Sequence, residues 1–166
     1  MGKHCCAPVF YLQAHFAVLM RVTKTSATTH LKKKKFPITE NRRLSYNQMT
    51  ALLQPYEHYF HKIAEPELVY ELWTDYVFRT STSNPKNKRI LFASVVIYEK
   101  FNAFYFHPLY VDDMLVDSLH ASLQTMMTGR TSFHFTELNE QVIALFTDLL
   151  KAGFECYRRM GWVRIR

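Results

Sequence analysis

The chain has 166 residues, of which 48% are hydrophobic and 15% aromatic. This length and composition predict one domain with a sizeable core and exclude a low-complexity chain. The net charge of +7 is uneven: residues 1–45 hold nine Lys and Arg against the single acid Glu40 and carry +8, which leaves residues 46–166 with one net negative charge. The basic balance therefore does not predict a specific nucleic-acid partner for the domain.

The cysteines bear on the redox compartment. Cys5, Cys6 and Cys156 show neither CxxC nor CxxH spacing, and two of them are adjacent. This pattern excludes a disulfide scaffold and a zinc site built on thiolates. A reducing compartment fits best, so we expect a cytoplasmic protein.

Residues 1–45 are predicted to be a basic, disordered N-terminal extension. Their apolar run, Ala7–Met20, is shorter than the roughly 20 residues that span a bilayer, so we predict no transmembrane segment. A signal peptide over residues 1–27 stays open as an alternative and would make the protein secreted. Lys32–Lys35 predict only weak, nonspecific contacts with anions.

Residues 46–166 are predicted to form a single domain that starts with a short helix. Ser45 is a suitable N-cap for this helix, and Pro55 ends it. Apolar and aromatic runs after Pro55 predict three strands, of which the middle one is apolar throughout and therefore central. The three strands are Leu68–Phe78, Ile90–Tyr98 and Ala103–Tyr110.

The second half of the domain is predicted to be mostly helical. Helical spacing of leucines predicts a helix over Asp112–Met127 that Gly129 ends. A short strand over Thr131–Phe135 and a long helix over Asn139–Met160 follow. Strands joined by short turns and followed by helices indicate the α+β class, with an antiparallel sheet of about four to five strands and helices packed on one face.

Several segments carry a resemblance to the YdhG-like family of small bacterial proteins. In that family a strand with an FYF-P-Y pattern precedes a helix, and a GK(S/T)-F-F pattern precedes a C-terminal helix. The chain resembles it over about residues 46–163, although Arg130 stands where Lys is usual. The resemblance implies the same α+β fold and, because one branch is frataxin-like, iron as a candidate ligand. The matching segments are 70–73, 91–95, Phe104–Tyr110, Gly129–Phe135 and Tyr157–Val163.

Aromatic side chains of the strands predict a ligand pocket. A concave apolar surface between a sheet and its helices is a common place for a small ligand. The same side chains are equally suited to the core, and this alternative stays open. The pocket candidates are Trp73, Tyr98, Tyr105, His107 and Tyr110.

Histidines and carboxylates predict two metal-binding alternatives. His107, Asp112, Asp113 and His134 would form a site for iron or zinc if the two histidines were neighbours across the sheet. Separate structural roles for the four residues are the alternative. The family resemblance adds iron binding on surface carboxylates, for which Glu65, Glu67, Glu71 and Asp75 are the acids.

Common catalytic motifs are absent from the sequence. The chain contains no GxSxG, GxGxxG, P-loop or HExxH motif. We therefore expect a non-catalytic domain that binds an unidentified small ligand or a protein partner. The alternatives are a frataxin-like iron-binding chaperone and an enzyme with a site around His107, Asp112 and His134.

Overall fold

The computed structural model describes residues 36–65, 68–79 and 87–163. The contact pattern assigns residues 36–166 to one compact unit. The apolar run 7–20, the alternative signal peptide over residues 1–27 and Lys32–Lys35 lie outside the described residues. No helix among the described residues is long and apolar enough to cross a membrane.

A six-stranded antiparallel sheet forms the centre of the described unit, which confirms the predicted α+β class with a slightly higher strand count. The strand order is β1-β2-β3-β4-β6-β5, so the first four strands form a meander and β6 joins it beside β4. The strands are β1 His61–Glu65, β2 Val69–Arg79, β3 Asn87–Ile97, β4 Asn102–Phe106, β5 Met127–Gly129 and β6 Ser132–Phe135.

Five α-helices and one 3₁₀ segment accompany the sheet in the described residues. The first and last helices are the long ones and pack on the same face of the sheet, because Met49, Phe146 and Tyr157 share one core cluster with Leu72 and Phe104. The helices are α1 Glu40–Leu53, α2 Pro108–Val111, α3 Asp113–Asp117, α4 Ala121–Gln124 and α5 Glu140–Arg159, and the 3₁₀ segment is Gln54–Tyr59.

The first helix begins earlier than predicted. It starts at Glu40 and contains Ser45, which was wrongly predicted to be its N-cap. The hydroxyl of Ser45 instead donates to the carbonyls of Asn41 and Thr136. The guanidinium of Arg42 is buried and donates to the carbonyls of Tyr98 and Pro37. These bonds extend the ordered unit into the segment predicted to be disordered.

Two predicted elements between β4 and β6 were also wrong. Strand β4 ends at Phe106, because Pro108 opens helix α2 and so ends the predicted strand before Tyr110. The predicted helix over Asp112–Met127 is divided into α3, α4 and the start of β5. Asp112 and His120 each accept a backbone N–H two residues further on and so start a new helix.

The face of the sheet turned away from α1 and α5, here called the outer face, follows from the strand register. Its central row takes one residue from each of five strands: Ile63, Glu71, Ser94, Tyr105 and Ser132. In an antiparallel sheet directly paired residues project to the same face. We call these residues the outer-face row.

Candidate functional site

His107 lies at the end of β4 and contacts the C-terminal helix. Its Nδ1 is 2.6 Å from the hydroxyl of Tyr157, and that hydroxyl donates to the carbonyl of Leu91 at 2.7 Å. Since a phenol has one proton and Tyr157 gives it to Leu91, Nδ1 of His107 must be the donor in the first bond. The imidazole is therefore held in the Nδ1–H tautomer, with a lone pair on Nε2.

The electrostatics of His107 argue against acid–base catalysis. Burial lowers the pKa of His107 to about 4, because the charged imidazolium loses its hydration. An efficient general base has a pKa near the working pH. Tyr157 is a neutral partner that gives an imidazolium little stabilisation. His107 thus acts as a hydrogen-bonding group at neutral pH rather than as a proton carrier.

Asp112 and Asp113 have structural partners of their own. Asp112 caps α3 and accepts from Arg159 at 3.2 Å. Asp113 pairs with Arg130, whose Nε also donates to the carbonyl of Leu109. The two ion pairs tie the α2–α3 segment to the C-terminal helix and to the β5–β6 turn. Both carboxylates therefore form ion pairs with arginines.

His134 is not a neighbour of His107 across the sheet, contrary to the prediction. Its register partner is Ala103, and its ring stacks on Phe101 with centroids 4.0 Å apart. Burial lowers the pKa of His134 as well. Within the described residues, no three His, Cys, Asp or Glu side chains are close enough to hold one metal ion. The four predicted ligands do not converge, and neither do the residues of the alternative enzyme site.

The outer-face row contains a buried carboxylate that forms no ion pair with a described residue. Glu71 is only 7% exposed. Its Oε2 accepts from Nε1 of Trp73 at 2.9 Å, and its Oε1 accepts from the hydroxyl of Ser94 at 3.3 Å. Both donors are neutral, and no Lys, Arg or His of the described residues forms an ion pair with Glu71. The prediction of Glu71 as a surface carboxylate was wrong.

Tyrosine hydroxyls continue this polar row on the side of β4. The hydroxyls of Tyr98 and Tyr105 are 3.0 Å apart, and Tyr105 is the register partner of Ser94. Burial and this hydrogen bond raise the pKa of Tyr105. Tyr105 therefore stays protonated at neutral pH, and its hydroxyl is hydrogen-bonded to that of Tyr98.

The five predicted pocket residues divide into two groups. Trp73, Tyr98 and Tyr105 belong to the outer face, around Glu71 and Ser94. His107 and Tyr110 lie at the end of the sheet, with ring centroids 5.7 Å apart. The structure therefore brings three of these residues together on one face and separates them from the other two.

Sequence reasoning missed Glu71, Ser94 and Tyr157 as members of polar networks. The sequence held one signal for Glu71. Side chains two residues apart in a strand share a face, and the neighbours of Glu71 at this spacing, Val69 and Trp73, are apolar. This pattern indicates that Glu71 lies on a covered face of the sheet. The other three predicted surface carboxylates do not share this position. The side chains of Glu65 and Glu67 lie outside the described residues, and Asp75 is partly exposed.

The comparisons with known proteins assign no family. No family model, curated protein or solved structure matches this chain. The resemblance to the YdhG-like family thus stays a prediction.

Proposed function

We propose that the domain is a non-catalytic module that binds a small organic ligand at the outer-face row. The observation that carries the proposal is the buried carboxylate of Glu71, which has neutral donors and no cation among the described residues. Acidic side chains are almost never buried without a paired charge. Departures from such packing rules occur mainly at functional sites.

Access to the row supports the same proposal. Ser94 and Glu71 are buried at its centre, while Ile63 at the β1 end is 40% exposed. Trp73 and Tyr105 are partly exposed beside them. An apolar rim around a few fixed polar groups is typical of small-molecule sites. The ligand would enter from the β1 edge and place its polar group against Glu71.

The non-catalytic part of the proposal rests on the titratable groups. His107 is neutral at pH 7 and is bonded through Nδ1 to a tyrosine. Burial raises the pKa of Cys156 to about 11, so its thiol is a poor nucleophile. Neither group is matched to proton transfer or nucleophilic attack at neutral pH.

The two tryptophans of the chain provide the test. In Trp162→Phe the remaining indole is Trp73, which is bonded to Glu71. In Trp73→Phe it is Trp162, which packs on Tyr157. A panel of small cations, neutral compounds and anions is first screened by thermal shift on the full chain. We expect hits to change the fluorescence of Trp73 and to leave that of Trp162 unchanged.

Three outcomes would overturn the proposal. A fluorescence change restricted to Trp162 would move the site to the end of the sheet. Conversion of a panel member to a product, followed by mass spectrometry, would make the protein an enzyme. Saturable Fe(II) binding that His107→Ala or His134→Ala weakens would favour the alternative of an iron-binding chaperone.

A further inference from the structure

The chemistry around Glu71 restricts the class of ligand. An ionised carboxylate offers about four acceptor positions on its two oxygens. Trp73 and Ser94 supply one donor each, so two positions stay open for a donor from outside the described residues. A positively charged donor would fill them and compensate the buried charge at the same time.

Two aromatic side chains share the outer face with the carboxylate. Trp73 follows Glu71 on the same face of β2, and Tyr105 lies across the sheet beside Ser94. The rings of Trp and Tyr attract organic cations that come within about 6 Å of the ring centre. The hydroxyl pair of Tyr98 and Tyr105 adds acceptors for an N–H donor.

We propose that the outer-face row is a site for a small organic ammonium compound, whose charged nitrogen binds Glu71 and whose alkyl groups contact Trp73 and Tyr105. This inference rests on the proposed function and specifies its ligand class. An anionic ligand is disfavoured, because it would place a second negative charge beside a buried carboxylate.

Two substitutions isolate the charge of Glu71. Glu71→Gln keeps the shape of the side chain and replaces the carboxyl group by a neutral amide. We expect it to raise the melting temperature of the free protein by roughly 3 °C and to abolish ammonium binding. Ile63→Lys places a cation opposite Glu71 in the register, where it would pair with the carboxylate and occupy the site. We expect this variant also to melt higher and to lose binding.

Ala64→Lys is the matched control for Ile63→Lys. Ala64 is exposed on the same strand, but its register partner is Tyr70 and it projects to the other face. The control adds the same charge without placing it beside Glu71. We expect its binding of ammonium compounds to equal that of the unsubstituted chain.

The experiment titrates the full chain carrying Trp162→Phe with n-butylammonium, butan-1-ol and butyrate at equal ionic strength, with Trp73 fluorescence as the readout. We expect saturable binding of n-butylammonium in the millimolar range, at least tenfold tighter than that of butan-1-ol, and none of butyrate. Both Glu71→Gln and Ile63→Lys should reduce the affinity for n-butylammonium at least tenfold.

The outcomes distinguish a wrong ligand class from the absence of a ligand site. Binding of butan-1-ol or butyrate as tight as that of n-butylammonium would overturn the ammonium assignment and leave a ligand site of another class. Unchanged n-butylammonium binding in Glu71→Gln would overturn the role of Glu71. If no compound of the wider panel changed Trp73 fluorescence, the proposed function would fail together with the inference.

Discussion

The hydroxyl of Tyr157 and Nδ1 of His107 lie 2.6 Å apart, which joins helix α5 to the end of β4. Because the same hydroxyl donates to the carbonyl of Leu91, one buried phenol connects the helix to two strands. Tyr157 has no exposed surface, so water cannot replace either bond if the hydroxyl is removed. This three-residue link fixes the orientation of the sheet end relative to the helix.

Tyr157→Phe should therefore lower the free energy of unfolding by about 1–3 kcal/mol, since it leaves the carbonyl of Leu91 and the Nδ1–H of His107 without their partner. Urea unfolding of the full chain measures this loss. Tyr76→Phe is the matched control, because Tyr76 is 45% exposed and a surface change of this kind costs less than about 0.5 kcal/mol. Equal losses in the two variants would contradict the role of the buried hydroxyl.

Protonation of His107 should make the stability of the protein depend on pH. Its pKa is lowered from 6.5 to about 4 in the folded protein, so between these values the unfolded chain binds more protons than the folded one. Stability should be fully present above pH 6.5 and fall as the pH drops towards 4, by about 3 kcal/mol from this group.

His107→Asn tests this assignment, because the amide can still donate to Tyr157 but does not titrate. Urea unfolding at several pH values should give a shallower slope for this variant than for the unsubstituted chain between pH 4 and 6.5. His134 contributes in the same direction because burial lowers its pKa too, so a residual slope is expected. Identical slopes would show that His107 is not the titrating group.

Gly153→Ala should destabilise the protein although alanine is the better helix former. A Cβ at position 153 would overlap Cζ of Phe106 and lie 3.0 Å from Cβ of Pro108. We expect overpacking to cost about 1–3 kcal/mol, and the gain in helix propensity of about 1 kcal/mol offsets part of it. Thermal unfolding should show a lower melting temperature. A higher melting temperature would mean that Phe106 moves aside without cost.

The start of the folded unit is testable by truncation. A chain that begins at residue 46 loses Arg42 and its bonds to the carbonyls of Tyr98 and Pro37, and also the acceptor of the buried Asn102 amide. We expect it to lose at least about 3 kcal/mol of stability relative to a chain that begins at residue 36, since several buried groups lose their partners. Circular dichroism during thermal unfolding measures the difference. Equal melting temperatures would restore the predicted boundary at residue 46.

The sequence by itself determined the elements whose signals are local. An apolar and aromatic run predicted β2, a continuous apolar run predicted the central β3, and the long helix predicted over Asn139–Met160 corresponds to α5. These elements depend on periodicity and capping, which neighbouring residues set. The α+β class followed from their order along the chain.

The tertiary structure alone decided the contacts between distant segments. Arg42 is a solvated cation by composition, and only its bonds to Tyr98 and Pro37 place it inside the fold. The pairing of Glu71 with Ser94 needs the register of β2 and β3, and the link between His107 and Tyr157 needs α5 to cross the sheet end. Packing in three dimensions decides which polar groups become hydrogen-bonded to each other. Residue type and spacing along the chain therefore do not identify the partner of a given polar group.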